Sequence, residues 1–137
     1  MPVAWTGARV VTLPGGARVR GRRLADLGVA PADWALLLGT GPAPPWPAER
    51  IRWPDFWLPL DREAAVAALR RAHQRAYAGA TVEIACRGGI GRTGTALAAL
   101  AVFDGLTPTE AVAWVREAYH PRAVETPWQR WWLRHIH

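Results

Sequence analysis

An apolar stretch, a glycine-rich stretch and an alanine-rich stretch follow one another directly in the second half of the chain, and this succession most limits the possible folds. Residues 81–85 predict a β-strand, residues 86–93 a loop and residues 95–103 a helix. A loop of this kind between a strand and a helix N-terminus points backbone N–H groups at one place, where the helix dipole favours an anion. The order therefore predicts an α/β domain with an anion site at the end of one strand.

Other segments supply the remaining elements of such a domain. Residues 34–38 form a continuous apolar run that predicts a buried strand, and residues 51–53 predict another short strand. Residues 3–19 carry β-branched runs on both sides of a Pro-Gly-Gly sequence, which predicts a hairpin. Strands that alternate with helices favour a largely parallel sheet.

Capping residues mark three further helices. Asp61 is a candidate N-cap for a helix that runs to about residue 77. Thr107 and Thr126 each begin a capping box with proline at the first helical position, and the first of these helices runs to about residue 119. A chain of 137 residues suits one domain. We therefore predict a single α/β domain with a central sheet flanked by helices, and with residues 1–24 as an N-terminal hairpin extension.

The amino-acid composition excludes several enzyme classes. The chain has no serine, asparagine or lysine, which excludes a serine hydrolase, a lysine Schiff base and a lysine-containing nucleotide loop. One cysteine and four histidines are too few for a disulfide framework, a multi-cysteine zinc site or an iron–sulfur cluster. All 17 basic side chains are arginines, against 11 acidic residues, and the net charge of +6 favours an anionic substrate. Charge alone also permits a nucleic-acid partner.

The glycine-rich loop places the single cysteine where it can be reactive. Three glycines between Cys86 and Arg92 allow successive N–H groups to face a tetrahedral oxyanion. The helix dipole and Arg92 favour the thiolate form of Cys86, and the Arg92 fork can bind two oxygens of the anion. The Thr93 hydroxyl can donate a hydrogen bond to the sulfur. The alternative, a small buried hydrophobic cysteine, leaves the glycines and the arginine unexplained.

The sequence Cys-Arg-Gly-Gly-Ile-Gly-Arg-Thr-Gly from Cys86 resembles the Cys-x5-Arg-Ser/Thr-Gly signature of cysteine-dependent protein tyrosine phosphatases. The resemblance implies that residues 86–93 are a phosphate-binding loop, that Cys86 is the nucleophile and that Thr93 assists breakdown of a phosphocysteine. It also implies a phosphatase-like fold. The substrate-binding residues that it implies are Arg87, Gly88, Gly89, Ile90, Gly91, Arg92 and Trp53.

A second motif, Trp-Pro-Asp at residues 53–55, is similar to the mobile general-acid loop of the same family and lies 31 positions before Cys86. A carboxylic acid on a closing loop can protonate the leaving oxygen, so the resemblance makes Asp55 the general acid. The alternative for Asp55 is a turn aspartate after proline. Trp53 and Trp57 flank Asp55 and are expected to hinge this loop or line the pocket. Gln129 has two interpretations, as the last residue of a capping box or as the family's water-positioning glutamine.

Other residues carry weaker expectations. His73 lies in an arginine-rich helix and is expected at the solvated surface or the rim of the site, Arg87 is expected to point outward towards substrate, and Arg122 to hold the loop from behind. Ala85 stands where many family members have a histidine before the nucleophile. We find no counterpart of the tyrosine-bearing loop that sets pocket depth in larger members, which leaves phosphotyrosine and dual specificity open.

The expected function is hydrolysis of phosphomonoesters, above all protein phosphotyrosine, without a metal or cofactor and with inhibition by phosphate- or vanadate-like oxyanions. Two alternatives are a rhodanese-type sulfurtransferase and a catalytically silent module that recognises phosphorylated partners. Five residues between cysteine and arginine favour a phosphoryl group over the shorter rhodanese loop. We expect no nucleic-acid partner. The longest apolar runs are well short of the ~20 residues of a membrane span, so a cytoplasmic protein is expected.

Overall fold

The computed structural model describes residues 9–26 and 28–136. These residues form a five-stranded sheet and four helices. The strands are β1 (Val10–Thr12), β2 (Arg18–Arg23), β3 (Trp34–Leu38), β4 (Ala48–Ile51) and β5 (Val82–Cys86), and the helices are α1 (Arg62–Tyr77), α2 (Gly91–Phe103), α3 (Pro108–Ala118) and α4 (Pro127–Leu133).

The sheet has the order β1-β2-β5-β3-β4, and all its pairings are parallel except the β1–β2 hairpin. This confirms the predicted single-domain α/β fold with a largely parallel sheet. Strand β5 lies in the middle, paired with β2 on one side and β3 on the other, and all five of its residues are buried. Its last residue, Cys86, therefore lies at the carboxyl edge of the sheet, where ligands bind in open α/β sheets.

The observed elements agree with several predicted boundaries and differ at others. Strand β3 and helix α1 have the predicted bounds, and the Asp61 carboxylate caps α1 by accepting a hydrogen bond from the Ala64 N–H. The strand predicted at residues 51–53 instead lies at Ala48–Ile51, where it pairs with β3. Helix α2 begins at Gly91 rather than at residue 95, so its first turn is part of the glycine-rich loop.

The N-terminal hairpin is built into the sheet. Its first strand pairs with residues 18–20 of β2, and β2 then continues along β5 as an internal strand. The part of the predicted hairpin that falls on residues 3–8 lies outside the described residues. The predicted N-terminal hairpin thus reaches the same edge of the sheet as Cys86, because Arg23 at the end of β2 is paired with Cys86.

Helix α2 is the centre of the core. Every residue from Gly91 to Ala101 is buried, since its many alanines let the sheet and the other three helices pack closely around it. Helix α1 contributes an apolar stripe at helical spacing to the same core. The buried residues of this stripe are Ala65, Ala68, Leu69, Ala72 and Ala76.

The other face of the sheet carries a buried ionic network. The Glu83 carboxylate is fully buried in β5, and it accepts hydrogen bonds from Arg20 Nη2 at 2.6 Å, from Arg22 Nε at 2.8 Å and from Trp46 Nε1 at 2.9 Å. A small apolar cluster that includes Leu24 and Leu37 lies beside it, with Trp46 packed against the cluster. Two guanidinium groups and an indole thus compensate a carboxylate that water cannot reach.

A second polar cluster joins the hairpin turn to α1 and α2. The Asp104 carboxylate accepts from the Gly15 N–H at 2.8 Å and from the Tyr77 hydroxyl, and its other oxygen lies 2.6 Å from His73 Nε2. Burial would raise the pKa of Asp104, but the bonds from Tyr77, His73 and Gly15 outweigh it and hold that pKa below its ordinary value. His73 is therefore a half-buried partner of Asp104, away from the glycine-rich loop. No helix in the described part of the chain is long and apolar enough to cross a membrane.

The Glu83 network predicts a large stability loss when its charge is removed. In Glu83→Gln, two buried guanidinium groups lose their counter-charge, and we expect the free energy of unfolding to fall by about 3–5 kcal/mol in urea denaturation. Asp26→Asn is the matched control, since it breaks the exposed Arg23–Asp26 pair at 2.9 Å and should leave stability unchanged. Equal losses in the two variants would contradict a stabilising role for the network.

Candidate active site

Cys86 lies at the junction of β5 and the glycine-rich loop, residues 86–93, and is 2% exposed. Its Sγ accepts hydrogen bonds from the Gly89 N–H at 3.1 Å and from the Thr93 hydroxyl at 2.9 Å. Thr93 lies in the first turn of α2, and the helix N-terminus supplies positive potential at the same place. All three features can stabilise negative charge that develops on the sulfur.

The loop needs glycine at position 89. Gly89 has φ +70, and a Cβ there would lie 2.9 Å from the Arg23 backbone nitrogen. The Gly89 carbonyl accepts hydrogen bonds from the Tyr119 hydroxyl and from Arg9 Nη1, the latter at 3.2 Å. Burial raises the pKa of Tyr119 to about 12, so its hydroxyl stays protonated at neutral pH and remains a hydrogen-bond donor. These contacts fix the loop from the side of β2.

Tyr119 is a site residue that the sequence analysis missed. A Cβ at Gly21 would lie 2.4 Å from the Tyr119 ring, so the glycine in the middle of β2 makes room for the tyrosine. A glycine inside a strand is a known sign of close approach by another group. That signal was present in the sequence, but it does not say which residue approaches.

Arg92 connects the glycine-rich loop to the acid loop, residues 53–57. Its side chain is buried in the first turn of α2, and Nη1 donates to the Trp53 carbonyl at 2.8 Å. Its Nε lies 3.5 Å from the Asp55 carboxylate and has no hydrogen-bond partner within the described part of the chain. Gly39, with φ +85, makes room for the guanidinium, since a Cβ there would lie 2.2 Å from Nη1.

Asp55 is exposed, while the tryptophan two positions before it anchors the acid loop. The Asp55 carboxylate accepts from the Phe56 N–H at 3.0 Å. Trp53 is 1% exposed, packs edge-on against Trp132 at 5.4 Å and donates from Nε1 to the Trp57 carbonyl at 2.8 Å. Trp57 itself is half exposed. Trp53 therefore fixes the start of the acid loop, with Asp55 exposed at its tip.

A cleft of about 680 Å³ lies between this acid loop, the end of β4 and the glycine-rich loop. Arg87 is exposed at its rim, where its guanidinium lies 3.3 Å from the Thr40 hydroxyl. The cleft combines apolar walls with arginine side chains. Its lining includes Thr40, Arg50, Ile51, Arg52, Leu60 and Arg87.

Gln129 forms the helix cap and also reaches the acid loop. Its Oε1 accepts from the Thr126 N–H and its own N–H donates to the Thr126 hydroxyl, both at 3.2 Å, which completes the capping box of α4. Its Nε2 lies 3.4 Å from the Trp57 carbonyl, and the side chain is fully buried. Both polar atoms of the amide are thus engaged with protein.

Arg122 was expected to hold the glycine-rich loop from behind, but Arg116 makes these contacts instead. The Arg122 side chain is 74% exposed, and its ion-pair partner is Glu125 at 4.0 Å. Arg116 instead donates to the carbonyls of Ala123 and Val124, at 3.0 and 2.9 Å. This segment packs on the start of α2, since a Cβ at Gly94 would lie 2.4 Å from the Ala123 Cβ. Arg116 therefore holds the back of the loop through the α3–α4 connection.

The geometry joins a sulfur that accepts from the Gly89 N–H and the Thr93 hydroxyl, a guanidinium in the same loop, and a carboxyl group beside that guanidinium. Such an arrangement can bind a tetrahedral anion against Cys86, with Arg92 gripping it and Asp55 available as a proton donor or acceptor.

Comparisons with known proteins agree with this chemistry. The family model described as protein-tyrosine phosphatase matches residues 48–123, from β4 through the α3–α4 connection. No curated protein sequence matches the chain significantly.

Solved structures share the fold. Tk-PTP in its active form gives a TM-score of 0.75, with 25% identity over 96% of this chain and 97% of that chain. Kinase-associated phosphatase with a serine in place of its catalytic cysteine gives 0.73, with 13% identity over 96% and 95%. Human DUSP28 gives 0.69, with 15% identity over 93% and 94%. At these identities the last two show similarity of fold.

The position of Arg92 predicts an effect of Gly39→Ala on anion binding. The added Cβ collides with the Arg92 guanidinium and the Trp53 carbonyl, so tungstate affinity measured by calorimetry should fall roughly tenfold or more, as for loss of a charge-assisted hydrogen bond. Gly16→Ala is the matched control, because Gly16 also has positive φ, +107, but has open space around it. Similar affinities in the two variants would show that Gly39 does not set the position of Arg92.

Proposed function

Because the chain belongs to the protein-tyrosine phosphatase family, we propose that it hydrolyses phosphomonoesters, with protein phosphotyrosine as the main substrate, through a phosphocysteine intermediate. The observation that carries this proposal is the position of Arg92. Its guanidinium touches the Trp53 carbonyl and the Asp55 carboxylate, while its backbone belongs to the loop that surrounds the Cys86 sulfur. The proposed nucleophile Cys86, the anion-binding Arg92 and the general acid Asp55 are therefore linked by direct contacts and by the shared loop.

In the first step the Cys86 thiolate attacks phosphorus, the S–P bond forms and the P–O bond to the leaving group breaks. Asp55 gives its proton to the leaving oxygen. Arg92 and the loop N–H groups stabilise the charge on the phosphoryl oxygens in a loose transition state. A reducing compartment such as the cytoplasm would keep the Cys86 sulfur reduced, as this step requires.

In the second step water attacks the phosphocysteine, the S–P bond breaks and inorganic phosphate leaves. The Asp55 carboxylate accepts a proton from the water, and the Thr93 hydroxyl donates its hydrogen bond to the departing sulfur. Gln129 binds the acid loop in the observed arrangement, so orienting this water would require its amide to turn away from the Trp57 carbonyl.

The cleft next to the glycine-rich loop supports an aromatic, anionic substrate. Ile51, Pro54 and Leu60 give it apolar walls, and Arg52 and Arg87 add positive charge at its edge. A phosphotyrosine side chain offers an aromatic ring for the apolar walls, and acidic residues beside it in a substrate peptide would face the two arginines. Phosphoserine and phosphothreonine peptides, the substrates of a dual-specificity enzyme, are the comparison that tests this preference.

The general acid favours hydrolysis over the alternatives. A sulfurtransferase moves a sulfur atom onto cysteine and has no alkoxide or phenoxide leaving group for Asp55 to protonate. A silent recognition module needs the arginine and the loop N–H groups, yet it has no use for a carboxyl group 3.5 Å from that arginine. The acid loop is thus the feature that separates the three functions.

The proposed nucleophile is tested with p-nitrophenyl phosphate, in the presence of reductant and chelator. At neutral pH wild type should hydrolyse this substrate and Cys86→Ser should not, because a serine hydroxyl is not ionised there. Tungstate binding, measured by calorimetry, should persist in the variant. Equal turnover by the two proteins would overturn the cysteine mechanism. If wild type binds tungstate but does not hydrolyse the substrate, the protein is a recognition module. If it is active only with thiosulfate and cyanide, it is a sulfurtransferase.

The proposed role of Thr93 predicts a change in the rate-limiting step. In Thr93→Val the leaving sulfur loses its donor, so breakdown of the phosphocysteine should slow roughly 10²-fold and rapid-quench experiments should show a burst of nitrophenol. Thr95→Val is the matched control, since the Thr95 hydroxyl is equally buried but donates to the Gly91 carbonyl. The same slowing and burst in both variants would contradict a specific role for the Thr93 hydroxyl.

A further inference from the structure

Trp128, the second residue of α4, binds the acid loop immediately after Asp55. Its indole Nε1 donates to the Phe56 carbonyl at 2.6 Å. Its ring also packs against Trp57, with the two ring centres 5.6 Å apart. Trp128 thus makes a polar and an apolar contact with the two residues that follow the proposed general acid.

The backbone that Trp128 binds is strained. Phe56 has φ +56, the left-handed conformation, which costs energy for a residue with a Cβ. The Phe56 side chain is 53% exposed, so burial of its ring contributes little to offset that cost. A strained backbone persists where its surroundings hold it in place. The hydrogen bond from Trp128 to the carbonyl of this same residue is such a restraint.

The strained residue also sets the orientation of the carboxyl group. The Phe56 N–H donates to the Asp55 carboxylate at 3.0 Å, and the same carboxylate oxygen lies 3.5 Å from Arg92 Nε. The carbonyl and the N–H of Phe56 flank one α-carbon, so a change in its φ and ψ moves both. Release of the Phe56 carbonyl would therefore also release the Asp55 carboxylate.

We propose that Trp128 is a positioning residue for the general acid, which holds Phe56 so that the Asp55 carboxyl group faces Arg92 and the leaving oxygen. This inference rests on the proposed function, and it goes beyond it by assigning a role to a side chain outside both sequence motifs. Trp128 does not touch the reacting atoms. Its effect on the rate passes through Asp55.

The dependence on the leaving group tests this role. Phenyl phosphate has a poor leaving group that needs a proton, whereas p-nitrophenolate leaves more easily without one. Trp128→Phe keeps an aromatic ring and removes the N–H. We expect kcat/KM, which reports the first step, to fall about tenfold for phenyl phosphate and clearly less for p-nitrophenyl phosphate. Trp131→Phe is the matched control, since Trp131 is similarly exposed on α4 and stacks on His135.

A double-mutant cycle shows whether the effect passes through Asp55. Asp55→Asn should lower kcat/KM for phenyl phosphate more than Trp128→Phe does, and the double variant should be no slower than Asp55→Asn alone. Tungstate binding by calorimetry shows that each variant is folded with an intact anion site. Additive losses in the double variant would overturn the proposal, because Trp128 would then act independently of Asp55.

Two further outcomes would also overturn it. Equal losses on both substrates would show a general structural or binding effect, and unchanged rates in Trp128→Phe would show that the hydrogen bond does not position the acid. Failure of the proposed function gives a different result, since wild type would then hydrolyse neither substrate, or Cys86→Ser would remain active, and the inference would fall with it.

Discussion

Side chains alternate between the two faces of the sheet along β5, so each face needs its own partners from the rest of the molecule. Glu83 points to one face of the sheet, and Ile84 and Cys86 belong to the helix-side core. A buried carboxylate is stable on the Glu83 face because Arg20 and Arg22 form ion pairs with it. The helix face places the sulfur beside the first turn of α2. A shift of one residue in register would exchange the faces and turn the cysteine away from its helix.

Small residues then allow charged and aromatic groups to approach the loop closely. Gly39 leaves space for the Arg92 guanidinium, and Gly21 for the Tyr119 ring. In both cases a glycine on a strand or at its end faces a large side chain from a distant part of the chain, so contacts from several elements surround the loop. This rigidity matters because N–H groups that are already oriented stabilise an anion without reorganisation.

The sequence predicted what local chemistry determines. The Thr107 and Thr126 caps lie within four-residue patterns, and both capping boxes are present in the structure. Helix α2 begins earlier than predicted because glycines, weak helix formers in mid-helix, are tolerated in a first turn whose N–H groups have no intrahelical partner. Tyr119 and Arg116 escaped prediction because their contacts depend on tertiary packing and follow no local spacing. Arg122, one of the arginines singled out in advance, is mostly exposed.

The acid loop is held mainly through its carbonyl groups. Arg92 binds the Trp53 carbonyl, while Trp53 and Gln129 bind that of Trp57, so a few side-chain donors hold the loop. Asp55 itself stays exposed. Arg92 has five N–H donors, one of which holds the loop, which leaves Nε and Nη2 for an anion. In the proposed mechanism, anion binding and loop position therefore depend on one guanidinium.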